Sequence, residues 1–317
     1  MSSLENVFYI QAGLGVLANM FLLFFYTSII LGDRSKPMDL ISCQLTFIHI
    51  MMILSEGDNL LANILESLKF GNDVKCKTTF YINRVMRGLS ICITCLLSVF
   101  QAVTISPSTS LLAKFKNKVK THIISAFFYF WSFNLSFSSR LIFYVAGFTN
   151  VSETYQMKVT KSCSLYPMNY IIRGSILTVI IARDVFLVGV MLTTSTYMVI
   201  TLCRHQMQCK HLHNISYLRA SPEKRATQTI LLLVVFFVVM YWLDFIISFT
   251  STLSWKYVPV VLTVQKLVMY AYPTLTPLVQ ITSDKRIIMY TEKHALQVPP
   301  DFLKMIISLP LKIIHLF

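Results

Sequence analysis

The sequence predicts an all-α membrane protein, a bundle of seven transmembrane helices with its N-terminus outside and its C-terminus inside. Three observations predict it. First, the 317 residues are 55% hydrophobic and only 13% charged, whereas a soluble domain carries charge on about a quarter of its residues. Second, seven apolar runs long enough to cross a bilayer alternate with short polar segments. Third, Lys and Arg are spread unevenly over those segments, as insertion bias requires. The formal net charge of +14 sits in short loops between apolar runs, so it points to membrane orientation and away from nucleic acid.

Span one is expected at 7–31, where no residue from Val7 to Leu31 is charged. The basic turn Gly32-Asp33-Arg34-Ser35-Lys36-Pro37 follows it, and span two runs over about 41–65 with His49 in its middle and Glu56 and Asp58 at its outer end. A loop from Leu68 to Lys77 leads to span three at 78–105, which Ser106-Pro107-Ser108 ends. The next loop holds Lys114, Lys116, Lys118 and Lys120 with no acid among them. Span four is expected at 122–148 and span five at 170–203. Arg173, Arg183 and Asp184 crowd the first half of span five, so its lipid-crossing part is about 185–203 and the earlier turns line a wet vestibule.

Span six, at 226–253, has a helix start before it: Ser221-Pro222-Glu223 offers a hydroxyl N-cap, a proline at the first position and a carboxylate at the positive end of the dipole. The uncharged residues Ala226 to Leu243 alone give about 27 Å of helix at ~1.5 Å each, close to the hydrocarbon thickness. Span seven, 258–281, contains Lys266, Pro273 and Pro277, and 282–317 forms a cytoplasmic tail. No repeat period or low-complexity segment interrupts the chain, which reads as a single domain.

Orientation follows from the loops. Those assigned inside carry Arg34 and Lys36, then the four lysines from Lys114 to Lys120, then Arg204, Lys210, Arg219, Lys224 and Arg225. Those assigned outside carry Lys69, Lys75 and Lys77, then Lys158 and Lys161, then Lys256. The tail adds five more basic residues on the inner side.

Of three N-x-S/T sequons, Asn134 lies within span four and Asn214 in an inner loop, which leaves Asn150 as the glycosylation site. For Asn134, hydrogen bonding between helices is the expected role. Five of the seven cysteines fall in apolar runs or inner loops. Cys76 and Cys163 remain in outer segments, where an oxidising exterior favours a bridge over two free thiols.

Glu56, Asp58, Asn83, Arg84, Arg87, Arg140, Arg173, Arg183, Asp184 and Lys266 fall towards the outer halves of their spans. An unpaired charge there costs about 2.5 to 3.5 kcal/mol on insertion scales. The group therefore predicts a polar, water-accessible outer cavity, with structural pairing, such as Arg183 with Asp184 or Glu56 with Lys266, as the alternative. Asp244 lies deeper in span six and could serve either role.

No signature for catalysis, a metal or a cofactor stands out. The C-x-x-C of Cys92 and Cys95 lies on an apolar helix without a second pair, and His205, His211 and His213 sit in a basic loop that needs no metal. Lys266 could in principle hold a retinal Schiff base, but relative to Pro277 it lies about a helical turn too far outward for that role.

Over about residues 7–281 the chain resembles the vomeronasal type-1 receptors, a pheromone-receptor family of the rhodopsin-like G-protein-coupled superfamily. The resemblance is carried by GLGVLANMFLLFF, KPMDLI, RGLSICITCLLSVFQAVTISP, RDVFLVGVM, TYMVITLCRHQMQ and HNISYLRASPEKRATQTILLLVVFFVVMYWLDFIIS. It is consistent with Phe100-Gln101-Ala102 where D-R-Y would stand, Thr276-Pro277-Leu278-Val279-Gln280 in place of N-P-x-x-Y, and His49 at the usual helix-two carboxylate.

The resemblance implies a plasma-membrane receptor that detects pheromones or other small chemosignals in sensory neurons and activates a heterotrimeric G protein of the inhibitory class. Asn83, Arg84, Arg87, Arg173, Arg183, Asp184 and Lys266 are the expected ligand contacts. Lys114, Lys116, Lys118, Lys120, Arg204, Arg219, Lys224 and Arg225 are expected to face the G protein. A bitter-taste-like receptor is the nearest alternative. A transporter is a further one, although no internal symmetry of the kind its repeated halves would leave is visible.

Overall fold

A computed structural model describes residues 2–32, 36–55, 65, 67, 69–106, 111–147, 157–158, 163–165, 169–211, 234–243, 245–247 and 259–294. Among the described residues seven long helices follow one another: α1 Ser2–Leu31, α2 Pro37–Leu54, α3 Asn72–Ile105, α4 Leu111–Ser139, α5 Tyr170–His211, α6 Val234–Ile247 and α7 Pro259–Ser283. A shorter helix, α8 Lys285–His294, comes after them. In α1, α2, α3 and α5 the stretches Asn6–Leu31, Pro37–Leu54, Asn72–Ile105 and Gly174–Thr201 are each long and apolar enough to cross a membrane.

The helix ends follow local chemistry. Pro37 opens α2 at a position where its missing N–H is no loss, and Asp39 accepts a hydrogen bond from the Lys36 N–H at 2.9 Å near the positive end of the dipole. Serine at position 106, just before Pro107, ends α3 in an extended conformation.

Several boundaries differ from the sequence expectation. Helix α3 begins at Asn72, so Lys75 and Cys76 lie on its first turns and not in a loop. Lys114 to Lys120 likewise lie on the first turns of α4; lysine is a good helix former, and a helix continues past the hydrocarbon where water takes over. Helix α4 stops at Ser139, short of 148. The chain then makes a 3-10 turn over Arg140–Tyr144 and enters a small sheet. Strands β1 Val145–Gly147, β2 Met157–Lys158 and β3 Cys163–Leu165 pair antiparallel in the order β1-β3-β2. Helix α2 ends at Leu54, and α5 continues past 203 to His211. The expected helix start at Ser221 and the sequon at Asn150 lie outside the described residues.

Helix α3 is the axis of the bundle. Its most apolar stretch is 72% buried, against 33% in α1 and 29% in α5, so α3 faces protein while the other two turn most of their surface outward. One apolar cluster joins α1, α2, α3, α4 and α7 through Phe8, Ile48, Leu89, Ile123 and Tyr270. A second joins α3, α5, α6 and α7 through Ile91, Met191, Phe237 and Tyr272. The third seats α8 against α1 and α7 through Phe25, Tyr26, Leu278 and Ile287.

Two local devices bring α1 close to α7. A β-carbon at Gly15 would come 2.7 Å from Thr274 Oγ1 and 2.9 Å from Ile53 Cδ1, so only glycine permits this approach. Pro277 has no N–H to give the carbonyl of Pro273 four residues earlier. Asn19 Nδ2 takes its place at 2.8 Å, and also bonds the Gly15 carbonyl at 2.7 Å.

Candidate ligand cavity and the polar cluster beside it

Helix α3 starts at the end of the bundle that carries the sheet. There Cys76 is bonded to Cys163 of β3 across 87 residues of sequence, with the Cα atoms 5.6 Å apart. The bridge ties the sheet to the top of α3. Below it, Asn83, Arg84, Arg87, Ser90 and Thr94 descend α3 at spacings that keep most of them on neighbouring faces.

Between α2, α3, α6 and α7 lies a small cavity that is partly open to the outside. Its wall is largely apolar: Met52 of α2, Phe237 and Met240 of α6, and Val268 and Met269 of α7. Four polar side chains also line it, Arg87 and Ser90 from α3, Tyr241 from α6 and Tyr272 from α7. An apolar lining with a few convergent polar groups is the chemistry of a small-molecule site. Of the expected ligand contacts among the described residues, Arg87 alone lines this cavity. Sequence reasoning passes over the others, because a serine, two tyrosines and three methionines inside apolar helices look like ordinary core residues until the fold brings them together.

Beside the cavity lies a buried polar cluster. The Arg183 Nε donates to Asp184 Oδ1 at 2.7 Å, and its Nη2 is 2.7 Å from the same oxygen. From the same guanidinium, Nη1 donates to Asn134 Oδ1 of α4 at 3.1 Å. The other oxygen of the buried Asp184 accepts the hydroxyl of Tyr241, the residue that lines the cavity. Gly88 makes room for this junction: a β-carbon there would collide with Asn134 Oδ1 and stand 3.1 Å from Arg183 Nη1. Asn134 also donates to the Phe130 carbonyl and towards Cys92 Sγ, which fits the expected hydrogen bonding between helices.

Arg84 lies within electrostatic reach of Arg87, Arg183, Asp184 and Tyr241. Asn83 donates to the Tyr270 hydroxyl at 2.7 Å and reaches Ser55 Oγ at 3.5 Å, linking α3 to α7 and to the end of α2. The Lys266 ammonium stands 6.0 Å from the centre of the Phe8 ring, the outer limit of a cation–π contact. Arg140 is exposed on the 3-10 turn. The side chain of Arg173 and residues Glu56, Asp58 and Asp244 lie outside the described parts of the chain, as do Arg219, Lys224 and Arg225.

At the opposite end, α8 is clasped to α2. Arg286 Nη2 donates to Asp39 Oδ1 at 2.9 Å and Nη1 to Asp39 Oδ2 at 3.2 Å, a two-pronged contact matching the guanidinium fork. Nη2 also reaches Asp284 Oδ2 at 3.0 Å. Burial by itself lowers the pKa of Arg286, but the hydrogen bonds and charges of Asp39 and Asp284 outweigh it and hold the guanidinium above its ordinary value.

The fold is the seven-helix bundle of rhodopsin: squid rhodopsin superposes with a TM-score of 0.68 over 97% of this chain and 90% of that one, at 16% identity. The sequence narrows the class. The profile of the vomeronasal organ pheromone receptor family matches residues 2–293. Vomeronasal type-1 receptor 90 of Rattus norvegicus is 41% identical over 285 residues, 89% of this chain and 91% of that one. Vomeronasal type-1 receptor 100 of the same species is 38% identical over 300 residues, 94% and 91% of the two chains. Vomeronasal type-1 receptor 45 of Mus musculus is 37% identical over 289 residues, 90% of each. The chain belongs to the vomeronasal type-1 receptor family. It is a multi-pass plasma-membrane G-protein-coupled receptor and not an enzyme.

Proposed function

We propose that this receptor detects a pheromone or similar small chemosignal and activates a heterotrimeric G protein of the inhibitory class in sensory neurons. The observation that carries the reading is the cavity between α2, α3, α6 and α7, with Arg87 in its wall and Tyr241 joining it to the buried Arg183–Asp184 pair. In this reading the N-terminus and the disulfide end face outward and 282–317 lies in the cytosol. The ligand enters among Asn83, Arg84, Arg87, Arg173, Arg183, Asp184 and Lys266. Arg84 and Arg87 receive a hydrogen-bond acceptor on the ligand, while Arg183 and Asp184 hold Tyr241 in position.

A ligand that prefers one arrangement of α6 over another shifts the population by its difference in affinity. Lys114, Lys116, Lys118, Lys120, Arg204, Arg219, Lys224 and Arg225 then meet the G protein on the inner face. Asn150 carries an outer glycan, and Asn150→Gln is expected to remove an endoglycosidase-sensitive mass shift.

The test is inhibition of cAMP formation in cells expressing the full chain with an inhibitory G protein, screened against urinary fractions and defined volatiles. A dose-dependent response that Arg87→Gln weakens at least about ten-fold, with surface expression kept, is expected from the loss of a charge-assisted hydrogen bond. A response that Arg87→Gln leaves unchanged would remove Arg87 from the ligand site.

A further inference from the structure

The buried hydroxyls of α3 are Thr79, Ser90, Thr94 and Ser98. Three of them are committed. Thr79 donates to the Lys75 carbonyl at 2.9 Å and Thr94 to the Ser90 carbonyl at 2.7 Å, each folding back one turn on its own helix. Ser98 shares a hydrogen bond with Thr194 of α5 at 2.6 Å. Ser90 is the exception: it is only 4% exposed and its Oγ has no partner. A buried hydroxyl without a partner is costly, and native structures keep few of them.

Ser90 is also one of the residues that line the cavity. Its polar neighbours there are engaged elsewhere, Tyr241 with Asp184 and Tyr272 with Thr94 at 3.2 Å. Arg87 lies one turn nearer the disulfide end of α3, so Ser90 is the deeper of the two α3 residues in the wall. The surfaces around it, Met52, Phe237, Met240 and Met269, offer no hydrogen bond of comparable strength.

From this arrangement we infer that Ser90 is the inner polar subsite of the cavity and sets specificity, by hydrogen bonding a neutral oxygen, a ketone or hydroxyl, on the end of the ligand that reaches deepest, while Arg87, one turn nearer the mouth, meets any acceptor at the other end. The inference rests on the receptor reading given above and adds the orientation of the ligand and the residue that reads it. The methionines and Phe237 take the hydrocarbon body. Ser90 discriminates against a ligand lacking the oxygen, because such a ligand leaves the buried hydroxyl unpaired.

Two measurements on the full chain test it. In the first, Ser90→Cys is exposed on intact cells to a small water-soluble methanethiosulfonate, with wild type as the blank and Leu89→Cys, in the fully buried core of α3, as the control. Faster labelling of Ser90→Cys than of the control is expected. Equal rates would overturn the inference, whatever ligands the receptor has.

In the second, wild type, Ser90→Ala and Ser90→Thr are compared on a panel of cyclic and straight-chain ketones, each paired with the hydrocarbon of the same skeleton. Ketones are expected to lose about ten-fold in potency in Ser90→Ala, the size of one neutral hydrogen bond, and to keep most of it in Ser90→Thr. Equal losses for ketone and hydrocarbon would show that Ser90 only supports the helix, and would overturn the inference. Silence of the surface-expressed wild type towards the panel and all urinary fractions would count against the receptor reading instead, and the labelling result would still decide whether Ser90 opens into the cavity.

Discussion

At the disulfide end of the bundle, Asp184 is neutralised by Arg183, its neighbour in sequence, and the contacts that cross between helices are the hydrogen bonds to Asn134 and Tyr241. At the tail end, Asp39 is neutralised by Arg286, 247 residues away, so there the ion pair itself crosses between helices. The first pair is enclosed, with side chains 18% and 6% exposed; in the second, Asp39 is 1% exposed but Arg286 is 38% exposed. Enclosed charges interact strongly and tolerate no loss of a partner, while a pair open to water is screened. The end holding the cavity is thus tied by hydrogen bonds around a pre-paired charge. The end holding α8 depends on a long-range ion pair softened by solvent.

That difference predicts unequal responses to similar changes. The largest is expected for Asp184→Ala, which leaves the Arg183 guanidinium enclosed without its counter-ion at a cost of about 3 kcal/mol. Thermal denaturation of the detergent-solubilised receptor and its surface level should both fall. A change indistinguishable from wild type would mean that water reaches Arg183 freely.

Next is Gly88→Ala. The added methyl collides with Asn134 Oδ1, so the Arg183–Asn134 hydrogen bond must break or α4 must shift, at a cost of about 1 to 3 kcal/mol. Combined with Asn134→Ala, which removes the obstacle, the substitution should cost much less than the two effects added; strict additivity would refute the clash.

Arg286→Gln is expected to cost least, about 1 kcal/mol: it strips the buried Asp39 of its counter-ion, but the site is open to water on the Arg286 side and Asp39 keeps the Lys36 N–H. Its distinctive sign is salt dependence: the wild-type melting temperature should fall slightly as salt rises while the variant's does not. The pH dependence has a definite sign too. The folded-state pKa of Arg286 lies above the ordinary arginine value. Its stabilising contribution is therefore complete below that ordinary value and lost only as pH rises through the higher folded one. Titration from about pH 7 to 10, far below the arginine range, should leave the difference between wild type and Arg286→Gln constant; a difference that shrinks over that window would show that another group governs the clasp.

Particular residues show what is visible without the structure. The Arg183–Asp184 pair is an available alternative because the two are adjacent, and Cys76 with Cys163 because few cysteines remain on one side of the membrane. Asn134 is recognisable as a bonding residue because an amide in an apolar span needs a partner. Helix ends are less visible: α4 stops at Ser139 and folds into a sheet, and no proline or glycine punctuates that point. Asp39 gives away its place near a helix start but nothing of Arg286, since no local pattern links residues so far apart.

By itself the sequence determined that the chain crosses the membrane as a helical bundle, because long uncharged runs have no other stable place, and its motifs determined the family. Only the tertiary structure decided which polar groups meet. Tyr241, Tyr272, Ser90 and three methionines became a cavity because helices from four parts of the chain converge there, and one hydroxyl stands apart because its neighbours had already taken partners. Hydrogen bonds and ion pairs act over a few ångströms in space, and the order of residues along a chain does not specify those distances until the helices have packed.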